Sequence, residues 1–144
     1  MMEENRSTPL ILVVENDPRV RQLIMEWINH SDLECRFAEA DGSKAAFAQV
    51  KNEPPDVILM DISMPYVDGI QTTRVIHRIA PEIPVVMLTI MEESHYKAEA
   101  RKAGALDFVN KREMTTRLLP VLKRVLKKND TRSRTTLLSN PSLP

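Results

Sequence analysis

Several short apolar runs of the chain end in side chains that can ionise or form hydrogen bonds. Glu15 and Asn16 follow the first run, Asp61 follows another, and Thr89 and Lys111 end two more. Carboxylate and amide oxygens suit a hard divalent cation, while a hydroxyl and an ammonium suit an anionic group. Each polar residue alone carries little weight, because polar residues commonly begin where strands end. Together they indicate one chemical site.

The site needs a sheet that brings these chain positions to one edge. The sequence predicts strands at 10–14, 33–38, 56–60, 83–88 and 106–109. Helices alternate with these strands: the first follows Asp17, the second spans 43–51, the third follows Gly69 and the fourth spans 92–103. The fifth helix is predicted to begin near Thr116, so that Pro120 would lie in its first turn. Three strands are wholly apolar, which is typical of a parallel sheet covered on both faces. We therefore expect a doubly wound α/β fold, whose functional crevice lies at the carboxyl ends of the strands.

The bulk composition is that of an ordinary soluble protein. The chain has 144 residues, and its 20 basic and 20 acidic side chains give no net charge that would favour nucleic acid or membranes. One cysteine, Cys35, excludes an internal disulfide, and no apolar run is long enough to span a membrane. We expect a cytoplasmic protein with a flexible N-terminus at 1–8, one domain at 9–128 and a disordered tail or linker at 129–144.

The most specific motif lies around the second wholly apolar strand. Residues 56–69 read DVILMDISMPYVDG, with Asp61 at the strand end, then Met64-Pro65 and Asp68-Gly69. This segment resembles the receiver domain of two-component response regulators. The resemblance covers about residues 9–127 and includes the acidic end of 10–18, the run PVVMLT at 84–89 and GALDFVNK at 104–111.

The resemblance implies a flavodoxin-like sheet with strand order 2-1-3-4-5 and a phosphoacceptor at Asp61. Mg²⁺ would be held by Glu15, Asn16, Asp61 and the backbone carbonyl of Ser63. Lys111 would pair with Asp61 and then with a phosphoryl oxygen. The phosphoryl donor would be a sensor histidine kinase, a phosphotransfer protein or a small acyl phosphate. A receiver catalyses only its own phosphorylation and dephosphorylation, so we expect no other enzymatic activity.

The resemblance also implies a conformational switch. Thr89 would hydrogen-bond the phosphoryl group, and Phe108 would change rotamer as Thr89 moves. The surface of the fourth helix, fifth strand and fifth helix would change with it, to control a homodimer, partner or output domain. Arg112 follows Lys111 where many members have proline, and this replacement of proline is commoner in regulators with a helix-turn-helix output. No second apolar-periodic segment that could form a helix-turn-helix follows, so we expect no direct nucleic-acid binding by this chain.

Three positions bear on how well the site works. Family members usually carry two adjacent acids after the first strand, but the second position here is Asn16, which should weaken Mg²⁺ binding. Ile90 stands where a smaller residue is commoner, and Met64 lies beside the acceptor. The domain is then either phosphorylated with a higher Mg²⁺ requirement, or it is a pseudo-receiver that acts as a protein-interaction or dimerisation module without phosphorylation.

Two other α/β functions fit the sequence less well. A phosphatase of the haloacid dehalogenase type also uses an aspartate nucleophile at a strand end, but it needs a second aspartate where Ser63 stands. Dinucleotide binding needs a glycine-rich turn after the first strand, and Glu15-Asn16-Asp17-Pro18 contains no glycine.

Overall fold

The computed structural model describes residues 8–61, 66–90 and 94–139. The strands in this part are β1 Leu10–Val14, β2 Arg36–Ala40, β3 Val57–Asp61, β4 Val85–Thr89 and β5 Asp107–Asn110. The helices are α1 Pro18–Asn29, α2 Ser43–Asn52, α3 Tyr66–Ile79, α4 Ser94–Ala103 and α5 Met114–Ser139, and a 3-10 turn at Lys111–Glu113 precedes α5. None of the described helices is long and apolar enough to cross a membrane.

The strands form one parallel sheet in the order β2-β1-β3-β4-β5, which confirms the predicted fold. Successive side chains of each central strand point to opposite faces, because side chains alternate along a strand. Leu12 and Met60 pack with α2, α3 and α4, whereas Ile11 and Leu59 pack with α1 and α5. The wholly apolar strands are therefore buried on both faces, and the sheet holds their carboxyl ends at one edge.

The turn after α4 fits the glycine that the sequence predicted to end this helix. Gly104 has a φ of 111°, its N–H donates to the Arg101 carbonyl, and the Ala105 N–H donates to the Ala100 carbonyl. This is the Schellman pattern, which favours glycine. A Cβ atom at position 104 would also lie 2.4 Å from Cγ of His77, so glycine is required for the packing of α4 against α3.

Several element boundaries differ from the sequence-based prediction, chiefly the starts of α3, β2 and α5. α3 begins at Tyr66, so Gly69 lies inside this helix and not before it. β2 begins at Arg36 rather than at residue 33, because the Ser31 hydroxyl accepts a hydrogen bond from the Leu33 N–H and keeps that segment in a turn. α5 begins at Met114, so Pro120 lies inside the helix and not in its first turn. The 3-10 turn that precedes Met114 starts the helix earlier than the proline rule suggested.

The C-terminal helix continues past the predicted domain boundary. Its backbone is helical through Ser139, whereas the sequence predicted a disordered tail or linker from residue 129. The division of the chain at residue 128 and the flexible N-terminus at 1–8 stay predictions. The latter falls outside the described residues except for Thr8.

Candidate functional site

The predicted site residues converge at the carboxyl edge of the sheet. Asp61 is the last residue of β3, and Thr89 is the last residue of β4. Val14 pairs with Met60, so Glu15 and Asp61 each stand one residue beyond a paired position of neighbouring strands. Lys111 follows β5 directly and begins the 3-10 turn. Four separate parts of the chain therefore meet at one edge.

Asp61 is the buried centre of this group. Its side chain has no solvent exposure, and its Oδ1 forms an ion pair with Nζ of Lys111. The Lys111 side chain keeps 23% of its exposure, so it reaches from the surface to the buried carboxylate. Glu15 is also fully buried. Two buried carboxyl groups and one ammonium thus share a space that excludes most water.

The surroundings of Asp61 disfavour its ionised form. Burial raises its pKa, the hydrogen bond with the Glu15 side chain raises it further, and Lys111 partly offsets both, which leaves the pKa at about 7. A carboxyl group ordinarily ionises far below this value. One ammonium therefore does not compensate for the two buried carboxylates, and a divalent cation beside them would do so.

The loop between β1 and α1 is held by hydrogen bonds on several sides. The Glu15 N–H donates to the Ala40 carbonyl over 2.9 Å, and the Asp17 N–H donates to Glu15 Oε1 over 3.0 Å. Arg21 donates from Nη1 to the Glu15 carbonyl over 2.6 Å and from Nε to Oε1 of Glu39 over 3.0 Å. The sequence-based reasoning missed Arg21 and Glu39.

A sequence signal for Arg21 did exist. Arg19 and Arg21 lie at the start of α1, which contains no acidic residue in its first turn. A basic side chain is unfavourable there, because the amino end of a helix carries partial positive charge. Such a residue is expected to have a partner outside the helix, although the sequence does not identify that partner.

Asn16 and Asp17 have different environments. Asn16 is exposed, between buried Glu15 and the cap of α1. Asp17 Oδ1 accepts a hydrogen bond from the Arg19 N–H over 2.9 Å, and this bond lowers the Asp17 pKa. The predicted capping role of Asp17 is confirmed, so this carboxylate is committed to the helix start.

The donor set suits a water-rich magnesium ion. Among the described residues, no group of three or more His, Cys, Asp or Glu side chains is placed to hold a metal. Two carboxylates, from Glu15 and Asp61, are nonetheless enough, because Mg²⁺ is commonly bound through one or two carboxylates and keeps several waters. Burial and the neighbouring Glu15 raise the pKa of Asp61, so a cation beside the pair would favour its ionised form. The residues present therefore fit Mg²⁺.

The predicted switch residues are buried near this edge. Thr89 is 5% exposed and pairs in register with Asn110, and Phe108 is 7% exposed and pairs with Met87. The Arg101 guanidinium of α4 lies over the Phe108 ring, 5.0 Å from its centroid. Phe108 is therefore packed in the core and covered by a cation.

The sequence also predicts roles for Ile90, Ser63 and Met64, and the structure describes only Ile90. Ile90 is 58% exposed directly after Thr89, so its side chain stands at the surface next to the site. Ser63 and Met64 lie outside the described residues, and their predicted roles stay predictions.

Comparison with known proteins explains this arrangement. The family model for the response regulator receiver domain matches residues 11–123. The chain belongs to this family. It is 32% identical over 120 residues to the phosphate regulon transcriptional regulatory protein PhoB of Pseudomonas aeruginosa, covering 79% of this chain and 52% of that protein. It is 30% identical over 117 residues to the chemotaxis protein CheY of Thermotoga maritima, covering 81% of this chain and 97% of CheY.

Solved structures give the same result for the fold. A two-component response regulator of the LuxR family from Aurantimonas superposes with a TM-score of 0.77 at 26% identity, covering 84% of this receiver domain chain and 86% of that chain. A CheY-like receiver domain protein from Methanospirillum hungatei shares the fold with a TM-score of 0.76 at 20% identity, and the match covers 87% of this chain and 98% of that chain. This chain spans about half the length of PhoB and of the regulator BaeR of Escherichia coli.

Membership of the family establishes the general role of the domain. Receiver domains are signalling modules of two-component systems and are in general not enzymes. They bind Mg²⁺ at an acidic pocket and interact with sensor kinases or phosphotransfer proteins. The chain is therefore a receiver domain of two-component signalling.

Proposed function

We propose that this receiver accepts a phosphoryl group on Asp61 from a sensor histidine kinase or a phosphotransfer protein, in the presence of Mg²⁺. The observation that carries the proposal is the buried Asp61 carboxyl group in contact with both Lys111 and Glu15. A structural carboxylate would be satisfied by its ion pair, whereas the pKa of Asp61 stays raised despite Lys111. Uncompensated charge at a strand end is typical of a functional site.

In this proposal Asp61 is the nucleophile, and it also helps neighbouring residues to hold the metal ion. An oxygen of Asp61 bonds to the phosphorus as the bond between phosphorus and the donor nitrogen breaks. Glu15, Asp61, the Asn16 side-chain oxygen and the Ser63 carbonyl would hold Mg²⁺. The ion would supply positive charge that offsets the repulsion between the carboxylate and the phosphoryl oxygens.

Lys111 and Thr89 stabilise the product in this proposal. The Lys111 ammonium, which is paired with Asp61, would contact a phosphoryl oxygen once the carboxylate has reacted. The Thr89 hydroxyl, at the end of the adjacent strand, donates to another phosphoryl oxygen. Charge-assisted hydrogen bonds of this kind are stronger than neutral ones, so they can move the loop after β4.

The switch would pass through Phe108 to the surface formed by α4, β5 and α5. The movement of Thr89 opens space that the Phe108 ring can enter, and the ring then leaves its place beneath Arg101. The surface also carries the ion pair between Arg124 of α5 and Asp107 of β5. We infer that the altered surface controls a homodimer, a partner or an output domain in the cytoplasm.

The output of the full regulator is part of the proposal. PhoB and BaeR are transcriptional regulatory proteins that are about twice as long as the matched region. Control of transcription through an output domain is therefore the function we favour, with no direct contact between the receiver and nucleic acid or membrane.

A second function has one specific observation in its favour. Asn16 leaves the site with two buried carboxylates, and it is itself exposed. A domain that did not bind Mg²⁺ well would act as a pseudo-receiver, which associates with its partner or with a second copy without phosphorylation.

Beryllofluoride with Mg²⁺ separates the two functions, because it mimics the phosphoryl group on an aspartate. If Asp61 is the acceptor, the amide resonances of Thr89 and Phe108 shift in NMR spectra and the association state measured by sedimentation changes. The Asp61→Asn variant, treated in the same way, should show neither change. A wild-type domain with unchanged resonances and unchanged association would favour the pseudo-receiver.

A further inference from the structure

The Arg21 side chain connects α1, the loop between β1 and α1, and β2. It projects from α1, it donates to the backbone carbonyl of Glu15 after β1, and it donates to the Glu39 carboxylate on β2. Its side chain is only 15% exposed, whereas that of Glu39 is 49% exposed. The guanidinium is therefore held at one end by a surface carboxylate and at the other by the loop that carries Glu15.

The position of the Glu15 carboxylate depends on this backbone. The Glu15 N–H is fixed to Ala40 of β2, and the carbonyl on its other side is fixed by Arg21. The side chain between these two bonds is fully buried and hydrogen-bonds Asp61. A rotation of the Glu15–Asn16 peptide would therefore change the direction of the carboxylate and of the following Asn16.

We propose that Arg21 is a positioning residue for the magnesium site: it holds the Glu15 backbone so that the Glu15 carboxylate stays beside Asp61. The proposal rests on the proposed function, because it assigns Arg21 an effect on the affinity of that site for Mg²⁺. Residues that orient metal ligands typically change affinity by about ten- to a hundredfold when they are removed.

The sign of the effect distinguishes positioning from simple electrostatics. Arg21 is a cation near a site for a dication, so removing its charge should tighten Mg²⁺ binding if charge alone mattered. Loss of positioning should weaken Mg²⁺ binding. Arg19 supplies a matched control, because it lies on the same helix, its side chain is 90% exposed, and it contacts Asp17 rather than Glu15.

The test measures Mg²⁺ binding to the full chain by calorimetry. We expect Arg21→Met to weaken binding about tenfold. Arg19→Met should leave the affinity unchanged or slightly tighter. Arg21→Lys keeps the charge but lacks the planar fork that reaches two acceptors, so it should recover only part of the affinity. Binding to Arg21→Met that equals or exceeds the wild-type affinity would overturn the proposal. If Arg21→Met does not fold, wild-type affinity in Arg21→Lys would overturn it.

Amide hydrogen exchange without metal gives a readout that does not depend on the proposed function. The Asp17 N–H, which donates to Glu15 Oε1, should exchange several-fold faster in Arg21→Met. The Arg19 N–H, which donates to Asp17 Oδ1, should be unchanged. If the wild type binds no Mg²⁺, the proposed function fails and exchange alone decides the role of Arg21. Unchanged exchange at Asp17 would refute that role, and faster exchange confined to Asp17 would support it.

Discussion

The charge balance at Asp61 predicts an unusual pH dependence of stability in metal-free protein. The pKa of Asp61 is raised from the ordinary 3.8 to about 7 by burial and by Glu15. A carboxyl group whose pKa is raised by folding contributes its stability below the unfolded pKa and loses it as the pH rises through the folded pKa. About three pH units correspond to about 4 kcal/mol between the two limits.

The perturbation that isolates this effect is Asp61→Asn, which keeps the shape and removes the ionisation. Because Glu15 shares a hydrogen bond with Asp61, the titration belongs to the pair, and the variant removes the Asp61 ionisation from it. The contact with Lys111 is one of the causes of the Asp61 pKa, so its loss is already part of this difference. The free energy of unfolding of Asp61→Asn minus that of the wild type should therefore increase by about 2–3 kcal/mol from about pH 5 to about pH 8.

Urea unfolding in the presence of EDTA, followed by the fluorescence of Trp27, measures this difference. Trp27 is the only tryptophan of the chain and packs against the core on the α1 side. Asp32→Asn is the matched control: Asp32 pairs with Lys123, and this pairing lowers its pKa. Its contribution is lost only as the pH falls through that lowered pKa, so its effect should be constant over the same range. A difference for Asp61→Asn that is equal at both pH values would refute the reasoning.

Three further predictions test other parts of the site and the fold. Asn16→Asp adds a carboxylate beside the metal position and should tighten Mg²⁺ binding about ten- to a hundredfold in calorimetry; equal affinity would remove Asn16 from the metal site. The bulky Ile90 side chain, exposed beside Thr89, would restrict the access of water to a phosphoryl group on Asp61. Ile90→Ala should therefore accelerate hydrolysis of the aspartyl phosphate, measured as loss of phosphoprotein with time, and an unchanged rate would contradict this role of Ile90. Leu122→Ala removes a fully buried side chain and should cost about 2–5 kcal/mol in urea unfolding. Leu23→Ala, at a position 63% exposed, should cost far less, and similar losses for both would contradict the packing described above.

The central strands could be predicted from sequence because their environment leaves one pattern. β1, β3 and β4 are buried on both faces, so they read as continuous apolar runs bounded by polar residues. β2 was placed too early because it is an edge strand with exposed Arg36 and Glu39, and its mixed pattern resembles a loop. α5 was started too late because the rule that places proline in a first turn does not account for Pro120 within this helix.

The site was predictable to the extent that chain order determines it. Parallel strands bring their carboxyl ends to one edge, so residues that follow those strands had to converge. The contacts of Arg21 were not predictable, because they join a helix side chain to a backbone carbonyl and to an edge strand. The raised pKa of Asp61 could not be predicted from the sequence either, because it depends on burial and on the approach of Glu15.

Phosphoryl transfer to Asp61 is tested most directly by intact mass measurement after incubation with a small acyl phosphate and Mg²⁺. The wild type should gain the mass of one phosphoryl group, and EDTA should prevent the gain. Asp61→Asn should gain none, while Asp68→Asn, at an exposed position of α3, should behave as the wild type. A folded wild type that is never modified at any Mg²⁺ concentration, or an Asp61→Asn variant modified to the same extent, would contradict the assignment of Asp61 as the phosphoacceptor.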